Sequence, residues 1–375
     1  MDILKLVYGA FMGPYQTFII LGSIAVLLIL GYVGAPLIIW TVVIGAILVG
    51  FKASTTTLII FAAFAVLLNT PLRRFIISGP VLRLMKAMKM LPKISDTEKI
   101  ALEAGVVWAD KDLFSGKPNF KKLMNEPYPE LTEEEKAFMD GPVNQVLSMV
   151  DEHQIWQEGD LTQDVWDYLK KEKFFGLIIP KEYGGLGFSP MANSEMVMKL
   201  STKSIAVAIT AMVPNSLGPA ELLHHYGTQK QKDYYLPRLA IGEEIPCFAL
   251  TEPQAGSDVS SMAATGVLFD DNGTLKVRLN WNKRFITLAS VATLLGMAFL
   301  LKDPDNLLGT GKEDIGITCA LVPSNYEGIT LGMRHDPLGV PFINSPLWGK
   351  DVVINVDEDV IGGKEGLGHG WKMLM

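Results

Sequence analysis

Between Leu6 and Phe51 the chain carries no charged side chain, and after Lys52 none returns until Arg73. A helix crosses a bilayer with about 20 mostly apolar residues. The first stretch is long enough for two such helices, broken near Gly31, Gly34 and Pro36, and the second for one. Proline is tolerated in spanning helices, so one kinked span in the first stretch is the other reading. The expectation is two or three transmembrane helices over residues 1–72. A secretory signal peptide has a shorter apolar region and a small-residue cleavage site, and it does not fit. This region accounts for a chain that is 49% hydrophobic and only 19% charged, with a mean hydropathy of +0.26.

Arg73, Arg74, Arg83, Lys86, Lys89 and Lys93 follow the last apolar stretch. By the positive-inside rule that end lies on the cytoplasmic side, with the rest of the chain. Gly79-Pro80 suits a helix start. Val81, Leu84, Met85, Met88 and Leu91 then share one helical face, with Arg83, Lys86 and Lys89 on another. This basic amphipathic linker, residues 73–95, fits a helix lying on anionic lipid. A helix packed on the protein's own core is the alternative.

Beyond residue 95 the composition is that of an ordinary globular protein. The 375 residues hold 33 basic and 40 acidic side chains, a net charge of −7, which gives no electrostatic footprint for nucleic acid. Two cysteines, Cys247 and Cys319, are too few for a disulfide framework or a four-cysteine zinc site. Thr132 and Glu135 have capping-box spacing, and Thr162 precedes a helical pattern of Val165, Trp166 and Leu169 that Gly176 is expected to end. Further helical patterns cover residues 194–200, 205–213, 217–226 and 229–239. The period then changes to that of strands. Asn272-Gly273 between apolar runs signals a hairpin, and residues 315–322, 329–333 and 351–356 read as strands. The expected order is a helical domain over 96–245 and a β domain over 246–361.

Self-contained catalytic signatures are missing: no HExxH, GxSxG or strand-linked GxGxxG occurs. Gly309-Thr310-Gly311-Lys312 lacks the spacing and hydroxyl of a phosphate loop and reads as a surface loop. His224 and His225, near a helix end before Gly227, suit carbonyl capping rather than metal ligation. His153, His335 and His369 have no partners at ligand spacing, so no metal site is expected. One stretch stands out: IPCFALTEPQAGSD, residues 245–258, runs from an apolar strand into a loop of small and polar residues. Such a loop offers free backbone N–H groups, a glycine permitting close approach, and the hydroxyls of Thr251, Ser257 and Ser260. A plain turn joining two domains is the alternative.

That segment resembles the flavin-binding signature of the acyl-CoA dehydrogenase family. EYGGLGF at 182–188, NSLG at 215–218 and HYGTQKQKDYYLPR at 225–238 stand in the order and spacing of that family's helical domain. NKRFIT at 282–287 is similar to its second flavin-contacting strand, and residues 363–375 to the entry of its C-terminal helical domain. The likeness covers residues 130–375. The hydrophobic N-terminus and residues 108–122 resemble the large membrane-associated acyl-CoA dehydrogenases of bacterial fatty-acid β-oxidation. The implied fold is multidomain α+β. Transmembrane helices would precede an all-α domain and an antiparallel β-barrel-like middle domain, with the C-terminal helical domain missing after a truncated start at 362–375.

The resemblance implies FAD as cofactor. Phe248, Leu250, Thr251, Gly256 and Ser257 would lie along the isoalloxazine ring, with Thr251 and nearby amides at its pyrimidine end. Phe285 and Ile286 would flank it, and Thr287 would donate to flavin N5. Phe285 stands where the family commonly has Trp, so an aromatic face is kept and an indole N–H lost. Ser257 would also touch the pantetheine arm of the substrate, and Val213 with its helix would line the acyl pocket. The implied reaction is dehydrogenation of a long-chain acyl-CoA to the trans-2-enoyl-CoA. A carboxylate takes the α-proton, and electrons leave to an electron-transfer flavoprotein. The family's catalytic glutamate lies in the C-terminal domain, expected beyond Met375, so the chain is expected to be an inactive N-terminal portion of a homodimeric enzyme. The implied location is the bacterial inner membrane, with the globular part in the cytoplasm. A non-catalytic, membrane-tethered acyl-CoA- or flavin-binding or interaction module is the alternative.

Overall fold

A computed structural model describes residues 3–90, 99, 110–116, 118–216 and 218–375. It divides into two units, residues 1–94 and 95–375. Leu91 of the expected apolar face, Lys93 of the basic cluster, residues 108–109 and 117 of the family-like segment and Leu217 at an expected helix start lie outside the described residues.

The first unit is helical: Ile3–Met12, Gln16–Tyr32, Leu37–Gly50 and Thr55–Asn69 are followed by a π-turn at Arg74–Ser78 and the helix Gly79–Ala87. Gln16–Tyr32 and Thr55–Asn69 bury none of their residues. They expose Phe18, Leu21, Ile24, Leu28, Ile59 and Phe64. Glycine lets aromatic rings approach the third helix, since a Cβ at Gly50 would stand 2.5 Å from the Phe11 ring and one at Gly45 would stand 3.2 Å from Phe61. Asn69 Nδ2 donates to Thr41 Oγ1 at 2.8 Å, a polar tie between two otherwise apolar helices. The spans are shorter than expected. The three apolar helices hold 17, 14 and 15 residues, and at about 1.5 Å per residue the longest covers only ~25 Å. Thr55–Asn69 and Arg74–Ala87 reach spanning length only as a pair bent by 79°.

In the second unit, Thr132 closes the expected capping box on Glu133–Phe138. Pro142 cannot donate an N–H, and the chain passes through a π-turn, Met139–Val143, before Asn144–Met149. Gln163–Lys171 stops short of Gly176, because Lys173 turns left-handed at φ 59° and Phe174–Gly176 forms a separate short turn that buries Phe174 and Phe175. Pro190–Ser201 starts earlier than its apolar pattern, capped by Ser189. Ile205–Met212, Pro219–Tyr226 and Gln229–Ala240 complete the layer. The stretch 205–226 is apolar enough to cross a membrane, but 65% of its most apolar 18 residues are buried within the protein, which marks it as core. Buried Asn215 ties the layer together: its side chain accepts from Ile178 N–H at 3.3 Å and donates to the carbonyls of Phe174 and Ala211.

Seven strands follow: β1 Pro246–Ala249, β2 Thr265–Asp271, β3 Thr274–Thr287, β4 Leu294–Lys302, β5 Asp314–Pro323, β6 Ile329–Leu331 and β7 Asn344–Asn355. They form a curled sheet in the order β1-β4-β2-β3-β7-β6, with β5 on the far edge of β4. The expected antiparallel, barrel-like arrangement holds for the pairs β2–β3, β3–β7, β4–β5 and β6–β7, and it is corrected in two places. β1 and β2 both pair parallel to β4, and among the described residues no pairing joins β6 to β5. The hairpin at Asn272-Gly273 forms as read, with both residues at positive φ, 54° and 87°. β4 went unread because its continuous apolar run does not distinguish strand from helix. β7 starts seven residues before the expected 351.

Candidate functional site

β1 and β2 lie end to end along one edge of β4: Pro246–Ala249 pairs with 294–297, and Thr265 to Val267 with 300–302. Residues 250–264 must therefore leave the sheet between them. The 245–258 motif is this ejected loop. Its base is fixed by strand packing. Phe248 lies against Gly296, where a Cβ would come within 2.5 Å of the Phe248 ring.

The second motif ends β3. Val277, Leu279, Trp281 and Lys283 alternate inward along this strand. Between the pairs Lys283↔Leu347 and Ile286↔Ser345, β3 carries one residue more than β7, a β-bulge. The bulge puts Phe285 at φ 60° with its ring 57% exposed. Arg284 N–H donates to the Thr251 carbonyl at 3.0 Å, so the two motifs meet.

Beneath them sits a buried ion pair that the sequence reading did not foresee. Lys283 Nζ donates to Glu252 Oε1 at 2.8 Å and to the Leu250 carbonyl at 3.0 Å. The Glu252 carboxylate also accepts from the amides of Ala263 and Ala264. Both side chains are essentially inaccessible, at 0% and 2%. Burial pushes the Glu252 carboxyl up, but the Lys283 ammonium and the two amides outweigh it and hold it below the ordinary carboxylate range. Burial draws the Lys283 ammonium down, opposed by Glu252. The signal was legible: a lysine at an inward strand position needs a buried partner.

The loop above this pair is open. Thr251 is half-buried, and Gly256 and Ser257 are exposed. A Cβ at Gly256 would meet nothing within 4 Å. Among the described residues, the N–H groups of Thr251, Gly256 and Ser257 and the hydroxyls of Thr251 and Ser257 find no acceptor in the protein. Asn344 Nδ2 donates to the Phe285 carbonyl at 3.0 Å and to Thr287 Oγ1 at 3.2 Å. Ile286 is buried beside them. The turn Val213–Asn215 lies against β1. Free donors around an open, apolar-walled shelf fit a flat heterocycle rich in acceptors, as FAD is. Glu252 is locked in its ion pair, and the exposed Asp258 accepts from Ser260 and Ser261, which hold its carboxyl below the ordinary range and make it a weaker base. Among the described residues no group of acidic, His or Cys side chains could hold a metal ion.

Two family models match: acyl-CoA dehydrogenase, N-terminal domain, over residues 132–243, and acyl-CoA dehydrogenase, middle domain, over 247–352. The very long-chain specific acyl-CoA dehydrogenase of Mus musculus mitochondria is 30% identical over 254 residues, 66% of this chain and 38% of that protein. The chain thus spans about two fifths of the curated relatives it matches. The butyryl-CoA dehydrogenase of Megasphaera elsdenii shares the fold, with a TM-score of 0.56, 23% identity, and coverage of 66% of this chain and 62% of that one. So does an acyl-CoA dehydrogenase of Bacillus anthracis complexed with FAD, with a TM-score of 0.54, 22% identity, and coverage of 64% and 40%.

Proposed function

We propose that this chain, which belongs to the acyl-CoA dehydrogenase family, provides the flavin-binding half of a membrane-anchored enzyme that dehydrogenates long-chain acyl-CoA to trans-2-enoyl-CoA. The observation that carries the reading is the meeting of two separate motifs through the Arg284 to Thr251 hydrogen bond, with Thr251 and Thr287 both only partly buried. FAD, when bound, supplies the acceptor for two electrons and the β-hydrogen. The protein's part is positioning. Thr251 with the amides of Gly256 and Ser257 would hold the acceptor-rich end of the ring system, Phe248, Leu250 and Phe285 its apolar surfaces, with the side chain of Ile286 packed in the core behind them, and Thr287 its N5. Fixed donors aimed at the ring favour charge that develops during the reaction.

The α-proton needs a carboxylate, and both carboxylates of the signature loop are engaged by other groups. A glutamate from a domain beyond Met375 is the proposed base. The same reading includes an acyl pocket lined by Val213, a pantetheine contact at Ser257, a homodimer, a role in β-oxidation and electron transfer to an electron-transfer flavoprotein. The bacterial inner membrane is the proposed location, with the globular unit in the cytoplasm. The uncharged, largely apolar helices Gln16–Tyr32 and Thr55–Asn69, which bury nothing, support it. A test is to wash membranes with carbonate and add palmitoyl-CoA anaerobically to the retained full-length protein. Flavin absorbance should bleach in the membrane fraction. Release of the protein by carbonate would sink the anchor, and a flavin that stays oxidised would sink the enzyme in favour of a binding module.

A further inference from the structure

We propose that Asn344, at the start of β7, is a positioning residue that turns the Thr287 hydroxyl hydrogen outward, toward the bound cofactor. The inference rests on the flavin reading above. The Phe285 carbonyl can only accept, so the Asn344 atom 3.0 Å from it is the amide nitrogen. That nitrogen's second hydrogen points to Thr287 Oγ1, 3.2 Å away. Thr287 is therefore an acceptor on its inner side. Its one hydrogen has no acceptor among the described residues and is left to face the shelf.

Asn344 is well placed to fix this rotor. It is only 8% exposed and stands opposite Thr287 in the β3–β7 register. Its carbonyl accepts from His335 N–H at 2.6 Å, which anchors its backbone. The same amide that orients the hydroxyl also holds the carbonyl of the bulge residue Phe285. A carboxylate in its place could only accept. It would draw the Thr287 hydrogen inward and repel the Phe285 carbonyl.

The test compares affinities of the full-length protein for FAD and for 5-deaza-FAD, in which a C–H replaces N5. The native protein should prefer FAD by roughly tenfold, one donated hydrogen bond. Thr287→Val should abolish that preference, and so should Asn344→Asp, with 5-deaza-FAD affinity changed by no more than about twofold. Asn344→Leu, which leaves the hydroxyl free to rotate, should keep part of it. The double variant Thr287→Val/Asn344→Asp should be no worse than Thr287→Val alone. Retention of the preference in Asn344→Asp, with its loss in Thr287→Val, would overturn the positioning role and leave the flavin reading standing. An equal fall in both affinities with a lower Tm in both Asn344 variants would make the residue merely structural. A native protein that binds neither compound would overturn the flavin reading itself.

Discussion

Lys283 holds three parts of the shelf at once: its own strand, the Leu250 carbonyl and, through Glu252, the amides of Ala263 and Ala264. Removing one member of such a pair leaves the other charge buried and unpaired, which costs about 3–5 kcal/mol. Lys283→Met should lower unfolding free energy by that amount in denaturant titration, and FAD retention should fall with it. Adding Glu252→Gln should recover much of the loss, because the uncompensated charge is gone. A single variant within about 0.5 kcal/mol of the native protein would show that the pair does not hold the loop. The two motifs that meet at Thr251 and Arg284 stood out in the sequence because their residue types and order are distinctive. Lys283 and Asn344 were not read: the inward phase of the lysine was overlooked, and no local pattern marks an asparagine whose partners lie 57 and 59 residues away.

At the scale of elements, the best-read features were those fixed by short-range chemistry. The Thr132–Glu135 box and the Asn272-Gly273 hairpin each follow from a few adjacent residues. What went unread depends on partners distant in sequence: the parallel docking of β1 and β2 on β4, the bulge before Ile286, and the first half of β7, interrupted by Pro346 and Gly349. The capping box also reaches further than its sequence suggests. Glu135 accepts from Thr132 N–H and from Ser189 N–H, each at 2.7 Å, and so ties two helix starts together. Burial works against its ionisation, but these donors prevail and hold the carboxyl down at about 2, against an ordinary value of 4.5. A depressed folded pKa gives stability that is present above the unfolded value and lost as pH falls toward the folded one. The Tm advantage of the native protein over Glu135→Gln should be constant above about pH 4.5 and shrink toward pH 2. A difference that does not change across that range would contradict the assignment.

Across the whole molecule, charge is divided between the two units. Residues 1–94 hold eight basic and one acidic side chain; residues 95–375 hold 25 basic and 39 acidic. A cationic, apolar unit suits an anionic leaflet, where each Lys or Arg near the surface contributes about 1 kcal/mol. The proposed flavin site lies elsewhere, in the loop that the curled sheet ejects and the strand end that meets it. The account stands on Thr251 and Thr287 being donors to a flavin rather than structural hydroxyls. Stopped-flow flavin reduction in the full-length protein, run with bound-FAD content and thermal melting for Thr287→Val and Thr251→Val, tests this most directly. A lost hydrogen bond to developing charge, about 1.5–3 kcal/mol, predicts reduction slower by roughly tenfold to a hundredfold, with Tm little changed and FAD retained more weakly by Thr251→Val. Native reduction rates and FAD content in both variants, with melting several degrees lower, would contradict it.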